Sequence, residues 1–333
     1  MRKASAVTFT DVGQVELASF DLPDLRPGEL LIRTDASAVS PGTEMRCLAG
    51  RQADSVAFPY IPGYSMAGVV EAVSPGCPNA VGDRVFASGT RYASINLQWG
   101  GHVSHAITSS DSVVLLPNGC ASHLAAMAKL VAIALRGVRV CKPKPSDLVA
   151  VVGLGPIGML SARLYRTTGA KVLSVDQEAS RVELARAAGM EALLVDGTIE
   201  ETVFNYFGQG ADVVVDATGI PEVLPFSIAA ARQPAWGNPD VNGPKLVIQG
   251  SYPNLFTIPY PDAFRKELTI LMPRDTTPNE VRDAVMMIAD GTCRVDDLIS
   301  WFGDPGECAK AYGLLKNDRT TMTAGFDWSN YAS

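Results

Sequence analysis

An α/β domain built on a covered parallel sheet, joined to a mostly β unit, is the fold class that this chain predicts, and three observations predict it. Residues 148–250 alternate short, continuous apolar runs with helical segments, the pattern of parallel strands buried on both faces. Residues 3–112 instead carry short Val-, Ile- and Ala-rich runs separated by Pro and Gly turns. Finally, 333 residues, 47% hydrophobic and 19% charged, exceed the usual single core and supply enough apolar material for two.

Taken in order, KASAVTF, GELLIRTDASAV, MAGVVEAV and DRVFAS read as the strands of the β unit. After VVLLPNG, residues 122–137 have a Ser at the start, good helix formers and a closing Gly, which predicts a mostly buried helix. LVAVVG at 148–153 is then a strand, PIGMLSARLYRTTG a helix, AKVLSVD a strand and ASRVELARAAG a helix. ADVVVDATG (211–219) and KLVIQG (245–250) continue the sheet, with PEVLPFSIAAAR as their crossover. NEVRDAVMMIADG and PGECAKAYGLLKN read as amphipathic helices, and TMTAGFDW as a closing strand.

Composition excludes several classes. A formal charge of -7 without a basic stripe opposes nucleic acid as a partner. The start MRKASAVTFTDVG lacks the apolar stretch of a secretion signal, and no window reads as a membrane span. Cys47, Cys77, Cys120, Cys141, Cys293 and Cys308 are scattered in no paired pattern and read as free thiols. A cytoplasmic location and a small-molecule substrate are the expectation.

The sharpest motif is VVGLGPIG, with Gly153, Gly155 and Gly158 between a strand and a helix. The first glycine allows the tight turn, the second a close approach to a pyrophosphate, and the third close packing of helix on sheet. Pro156 and Ile157 open the helix, whose first N–H groups and partial positive charge suit phosphate. Asp176 ends the following strand, where a carboxylate accepts hydrogen bonds from a ribose 2'-hydroxyl and repels a 2'-phosphate. NAD is therefore expected ahead of NADP, with Arg181 either as a counter-charge or as cover for the adenine. Thr218, Gly219, Gly250 and Ser251 end further strands at the same edge and are expected at the cofactor; ordinary strand-to-loop chemistry is the alternative.

Together with AVSPGTEMRCLAG, FPYIPGYSMAGVVEAV, VGDRVFA and GGHVSHAI, these features resemble the medium-chain dehydrogenase/reductase superfamily, the zinc-type alcohol dehydrogenases. The resemblance implies a Rossmann NAD-binding domain at 122–264, a mostly β GroES-like catalytic domain at 1–121 plus 265–333, an active-site cleft, and a homodimer or homotetramer. Zinc-dependent members carry Cys in the loop matching AVSPG, a His-Glu pair after the glycine of IPG, and often a Glu early in the next helix. This chain has Ser40, Tyr64 and Ser65, and Lys129, a set that supplies no ordinary zinc ligand. No metal is expected. SxGTE and IPGYS resemble a zinc-less branch grouped with bacteriochlorophyllide-type hydroxyethyl dehydrogenases.

Without metal, Tyr64 is the candidate acid–base group, and Lys129 the cation that would make a phenol useful near neutral pH. Alternatively, Tyr64 fills space and Lys129 snorkels or pairs with Glu44. Thr43 matches the proton-relay Ser/Thr of alcohol dehydrogenases, and His102 is either a proton carrier or a hydrogen-bonded structural residue. Ser40, Trp99 and Arg274 are candidate substrate contacts; the alternatives are simple packing for Trp99 and a solvated or cap-neighbouring place for Arg274. The leading reading is an NAD-dependent interconversion of a secondary alcohol and a ketone on a ring-bearing or sugar-like metabolite. Reduction of a conjugated C=C bond by an enoyl or quinone reductase, and a non-catalytic dinucleotide-binding protein, are the alternatives.

Overall fold

Six parallel strands form the sheet of the middle third in the computed structural model, which describes residues 2–52, 54–237, 243–252 and 255–331. They are Leu148–Val152, Lys171–Asp176, Ala192–Leu194, Val213–Asp216, Lys245–Ile248 and Thr269–Leu271. Counted along the chain, they lie in the order third, second, first, fourth, fifth, sixth, the doubly wound arrangement whose order reverses beside the first strand. Val152 is level with Val175 on one side and Asp216 on the other, so the strands finish together at that reversal. The Leu, Val and Ala side chains of these strands pack with Val203, Leu224 and Ile228 from the covering helices.

The chain divides into two compact units: Ile133–Thr276, and the residues up to Ala132 together with those from Thr277 onward. Both divisions fall later than 121/122 and 264/265. The second shifts because Thr269–Leu271 pairs in parallel with Lys245–Ile248 and completes the six-stranded sheet. The first lies inside a helix, Ala128–Cys141. That region holds two helices where one over 122–137 was expected: Ser122–Ala125 precedes the longer one. Ser122 does not cap; its hydroxyl donates to Asp35 Oδ2 at 2.9 Å and accepts from Arg84. Gly137 does not stop the helix either. A Cβ there would stand 1.8 Å from the Gln249 side chain, so the glycine admits a neighbour.

In the other unit, strands Ile299–Gly303 and Thr323–Asp327 join Glu29–Ala38, Met66–Val73, Arg84–Ala87 and Val114–Leu115 in one sheet, with His105–Ser109 also paired to Glu29–Ala38. The returning tail is thus part of the N-terminal β structure, and TMTAGFDW is a strand as read. A second sheet contains Arg2–Asp11 and Gln14–Leu22. Phe9, Tyr60, Tyr312, Phe326 and Trp328 pack into a core that joins residues from both ends of the sequence.

Candidate active site

At the carboxyl edge of the parallel sheet, the glycine-rich turn has the geometry its residues demand. Gly153 has φ +90°, a conformation that L side chains rarely adopt. A Cβ on Gly158 would lie 1.8 Å from the Gly153 carbonyl oxygen. Helix Pro156–Arg166 starts after Gly155 with Pro in its first turn and no side-chain cap, which leaves its N–H groups for an anion. Asp176 Oδ2 accepts from Leu154 N at 2.6 Å and Oδ1 from Glu178 N at 2.8 Å, while Arg181 lies 3.8 Å away. The carboxylate that ends the second strand therefore also braces the turn.

Thr218, Gly219 and Gly250 gather at the same edge: a Cβ on Gly153 would meet Thr218, and one on Gly250 would meet Gly219 N at 2.4 Å. Ser251 is exposed beside them. Their organiser is Asp216, the last residue of strand Val213–Asp216. Fully buried, it accepts from Thr218 N, Thr218 Oγ1, Tyr252 Oη and Ser227 Oγ at 2.7–2.9 Å. Burial and the Asp216 charge hold the Tyr252 phenol far above its ordinary range. These are the residues that a dinucleotide requires: a turn too tight for side chains, an open helix N-terminus and an acid at the second strand. They fit the cofactor.

In the β unit, Tyr64 Oη donates to Ser40 Oγ at 2.5 Å and lies 3.4 Å from Thr43 Oγ1. Trp99 packs edge-on against Tyr64, ring centroids 5.1 Å apart. It is 40% exposed and sits at φ +75°, a strained conformation for so bulky a residue. Three separated segments are thus brought together: helix Pro41–Leu48 with Ser40 at its N-cap, the turn after Ile61, and the turn at Trp99–Gly100. Lys129 is half-buried in the first turn of Ala128–Cys141.

His102 is placed otherwise than a proton carrier in a cleft would be. It is fully buried, with Nδ1 2.8 Å from Ser37 Oγ and Nε2 2.9 Å from Glu44 Oε2, so both ring nitrogens are engaged inside the protein. Glu44 braces the loop at Ser40, since its Oε1 accepts from Ser40 N at 2.7 Å. Tyr312 Oη donates to Glu44 Oε2 at 2.5 Å, and burial raises that phenol well above its usual value. Nothing in the composition of the tail signals that Tyr312 meets this helix, or that Trp328 reaches Ser37 in strand Glu29–Ala38; only packing does so. Arg274 is exposed after strand Thr269–Leu271, followed by Asp275 at φ +43°.

Zinc does not fit these residues. Ser40 and Tyr64 hydrogen-bond each other, and buried Ser65 donates to the Ala126 carbonyl. Cys47 is a buried thiol pushed up to about 12, first by burial and then by Glu44, the reverse of what a thiolate ligand needs. Among the described residues, no group of three or more His, Cys, Asp or Glu could hold a metal ion. None of the described helices is long and apolar enough to cross a membrane.

The fold and the glycine turn define a dinucleotide-binding oxidoreductase. Residues 26–132 match the alcohol dehydrogenase GroES-like domain and residues 156–290 the zinc-binding dehydrogenase domain. D-altritol 5-dehydrogenase of Agrobacterium fabrum is 30% identical over 246 residues, 66% of this chain and 70% of the relative. 2-desacetyl-2-hydroxyethyl bacteriochlorophyllide A dehydrogenase of Rhodobacter capsulatus is 26% identical over 318 residues, 93% of each chain. Benzyl alcohol dehydrogenase of Acinetobacter calcoaceticus superposes with a TM-score of 0.86 at 16% identity, over 98% of this chain and 99% of that one. The chain belongs to the medium-chain, alcohol dehydrogenase-like family of dehydrogenases.

Proposed function

We propose that the protein is a zinc-independent, NAD(H)-dependent oxidoreductase interconverting a secondary alcohol and a ketone, with Tyr64 as its acid–base group. The observation that carries this reading is the hydroxyl group Ser40–Tyr64–Thr43, with Tyr64 Oη between the other two; Ser40 and Tyr64 stand at positions where zinc-dependent relatives hold metal ligands. A bound nicotinamide dinucleotide supplies the hydride donor or acceptor. Gly153, Gly155, Pro156, Ile157 and Gly158 would hold its pyrophosphate, Asp176 its adenosine ribose, and Thr218, Gly219, Gly250 and Ser251 the rest of its length.

The protein's own work is to place the carbinol and move one proton. In ketone reduction, Tyr64 Oη gives its proton to the carbonyl oxygen and regains one from solvent through the hydroxyl of Ser40 or Thr43, each of which lies against it; in alcohol oxidation the proton moves the other way. Lys129 is assigned as the cation that stabilises the phenolate. Exposed Trp99 offers a flat apolar wall beside Tyr64, which favours a ring-bearing substrate, with Arg274 as a contact for an anionic substituent. The relatives named for a hydroxyethyl bacteriochlorophyllide and for D-altritol support hydroxyl chemistry on a cyclic or polyol compound. A cytoplasmic homodimer or homotetramer is the proposed state, and light scattering tests it.

The test is a titration of chelator-treated protein with NADH and NADPH by nicotinamide fluorescence, followed by secondary alcohols and ketones. The reading requires NADH to bind more tightly and turnover to survive chelation. Preference for NADPH with reduction of enones instead would establish the C=C reductase alternative.

A further inference from the structure

Beneath the Tyr64 hydroxyl chain lies a set of buried polar groups that the reaction as proposed does not use. Glu44 and His102 are both 0% exposed, Ser37 is 1% and Trp328 is 0%. Trp328 Nε1 donates to Ser37 Oγ at 2.9 Å, Ser37 Oγ lies 2.8 Å from His102 Nδ1, and His102 Nε2 lies 2.9 Å from Glu44 Oε2. The imidazole is also clamped sterically. Phe326 meets it edge-on at 5.1 Å, and a Cβ on Gly63 would come within 2.5 Å of the ring.

The direction of each bond follows from what each group can do. An indole N–H only donates, so Ser37 Oγ accepts from Trp328 and has its single proton left for His102 Nδ1. Glu44 receives the Ser40 N–H and the Tyr312 O–H, as a carboxylate does. His102 must then present Nε2–H to it. A neutral imidazole protonated at Nε2 satisfies every member once. An imidazolium would turn Nδ1–H toward Ser37, and the Ser37 proton would find no acceptor among the described residues.

We infer that His102 is a positioning residue, locked as the neutral Nε2–H tautomer, which through Glu44 fixes Ser40 and so aims the Tyr64 hydroxyl. The link is local and specific. Ser40 is the N-cap of helix Pro41–Leu48, yet its hydroxyl makes no bond to that helix. The Glu44 carboxylate satisfies the Ser40 N–H instead, and the hydroxyl is left to accept from Tyr64. Loss of the strut lets Ser40 drift; a small displacement of a reacting group degrades the chemical step far more than it degrades binding.

This inference rests on the role proposed for Tyr64, and its test has one arm that needs no turnover. Nitrogen NMR of histidine-labelled protein at neutral pH should show one imidazole protonated at Nε2 only, whose signal disappears in His102→Phe. An Nδ1–H tautomer or an imidazolium at that site overturns the inference. In kinetics, His102→Phe keeps a ring but offers no polar atom, and kcat should fall about 10- to 100-fold with KM and NADH affinity nearly unchanged. His102→Gln restores a donor toward Glu44 and should recover most of kcat. Wild-type kcat in His102→Phe, or equal loss in both variants, overturns the strut. Wild-type turnover in Tyr64→Phe would instead overturn the acid–base reading and leave the tautomer to be decided by the spectrum.

Discussion

Asp216 and Glu44 are both carboxylates sealed from solvent, one in each unit, and they were recruited in opposite ways. Every donor to Asp216 lies within the stretch from its own strand end to Tyr252, so a loop, a crossover helix and the next strand suffice. The donors to Glu44 come from Ser40, His102 and Tyr312, and the Ser37–Trp328 bond extends the set to the closing strand. The nucleotide unit thus builds its site from local sequence. The β unit assembles its site by folding the tail back onto the N-terminal sheet. A local site should tolerate change elsewhere, whereas a collected site should couple chemistry to stability.

The largest effect expected is that of Tyr64→Phe, which removes the proton donor and should lower kcat about 10²- to 10³-fold. NADH affinity, read by fluorescence, should not move, and a parallel loss would mean that the two sites are not separable in this way. Next comes Gly158→Ala. With the Gly153 carbonyl 1.8 Å from the new Cβ, urea unfolding should report a loss of about 3 kcal/mol, together with the loss of NADH binding.

Asp216→Asn and Glu44→Gln sharpen the comparison directly, since each replaces an acceptor by an amide whose N–H₂ must face donors. Each should cost about 2 kcal/mol of stability. Only Glu44→Gln should also lower kcat; Asp216→Asn should act on NADH affinity alone. Asp176→Asn should weaken NADH and improve NADPH, a change of about 1.4 kcal/mol in their relative affinity, or tenfold, measured by paired titrations.

The smallest effect concerns pH and the β unit. His105 is buried, and Arg2 donates to its Nε2 at 2.9 Å. Burial first, and then Arg2, lowers it from 6.5 to about 4, with Glu71 opposing. The folded state therefore holds a neutral ring, whose contribution is complete above pH 6.5 and fades as pH falls from there toward 4. The shift corresponds to about 3 kcal/mol for an isolated group, and the part-exposed Arg2–Glu71 pair leaves an expected loss of about 1 kcal/mol. Thermal melting of wild type and His105→Gln across that window reads it; identical pH slopes in the two would remove His105 from the account.

By itself, the sequence determined the alternation of apolar runs and helices, the glycine turn and the acid after the second strand. Each of these depends on residues close together in the chain, where spacing and chirality constrain the backbone directly. Its limits appear where a residue has a second possible use. Gly137 reads as a helix stop and is a packing gap for Gln249, and Ser122 reads as a cap and serves Asp35 and Arg84. His102 reads either as a proton carrier or as a hydrogen-bonded structural residue, and it lies in the core with both ring nitrogens bonded. Only the tertiary structure decided these, because a polar side chain takes whichever partner burial brings within 3 Å. For Ser37, Glu44, His102, Tyr312 and Trp328, that partner is set by the pairing of strands from opposite ends of the chain.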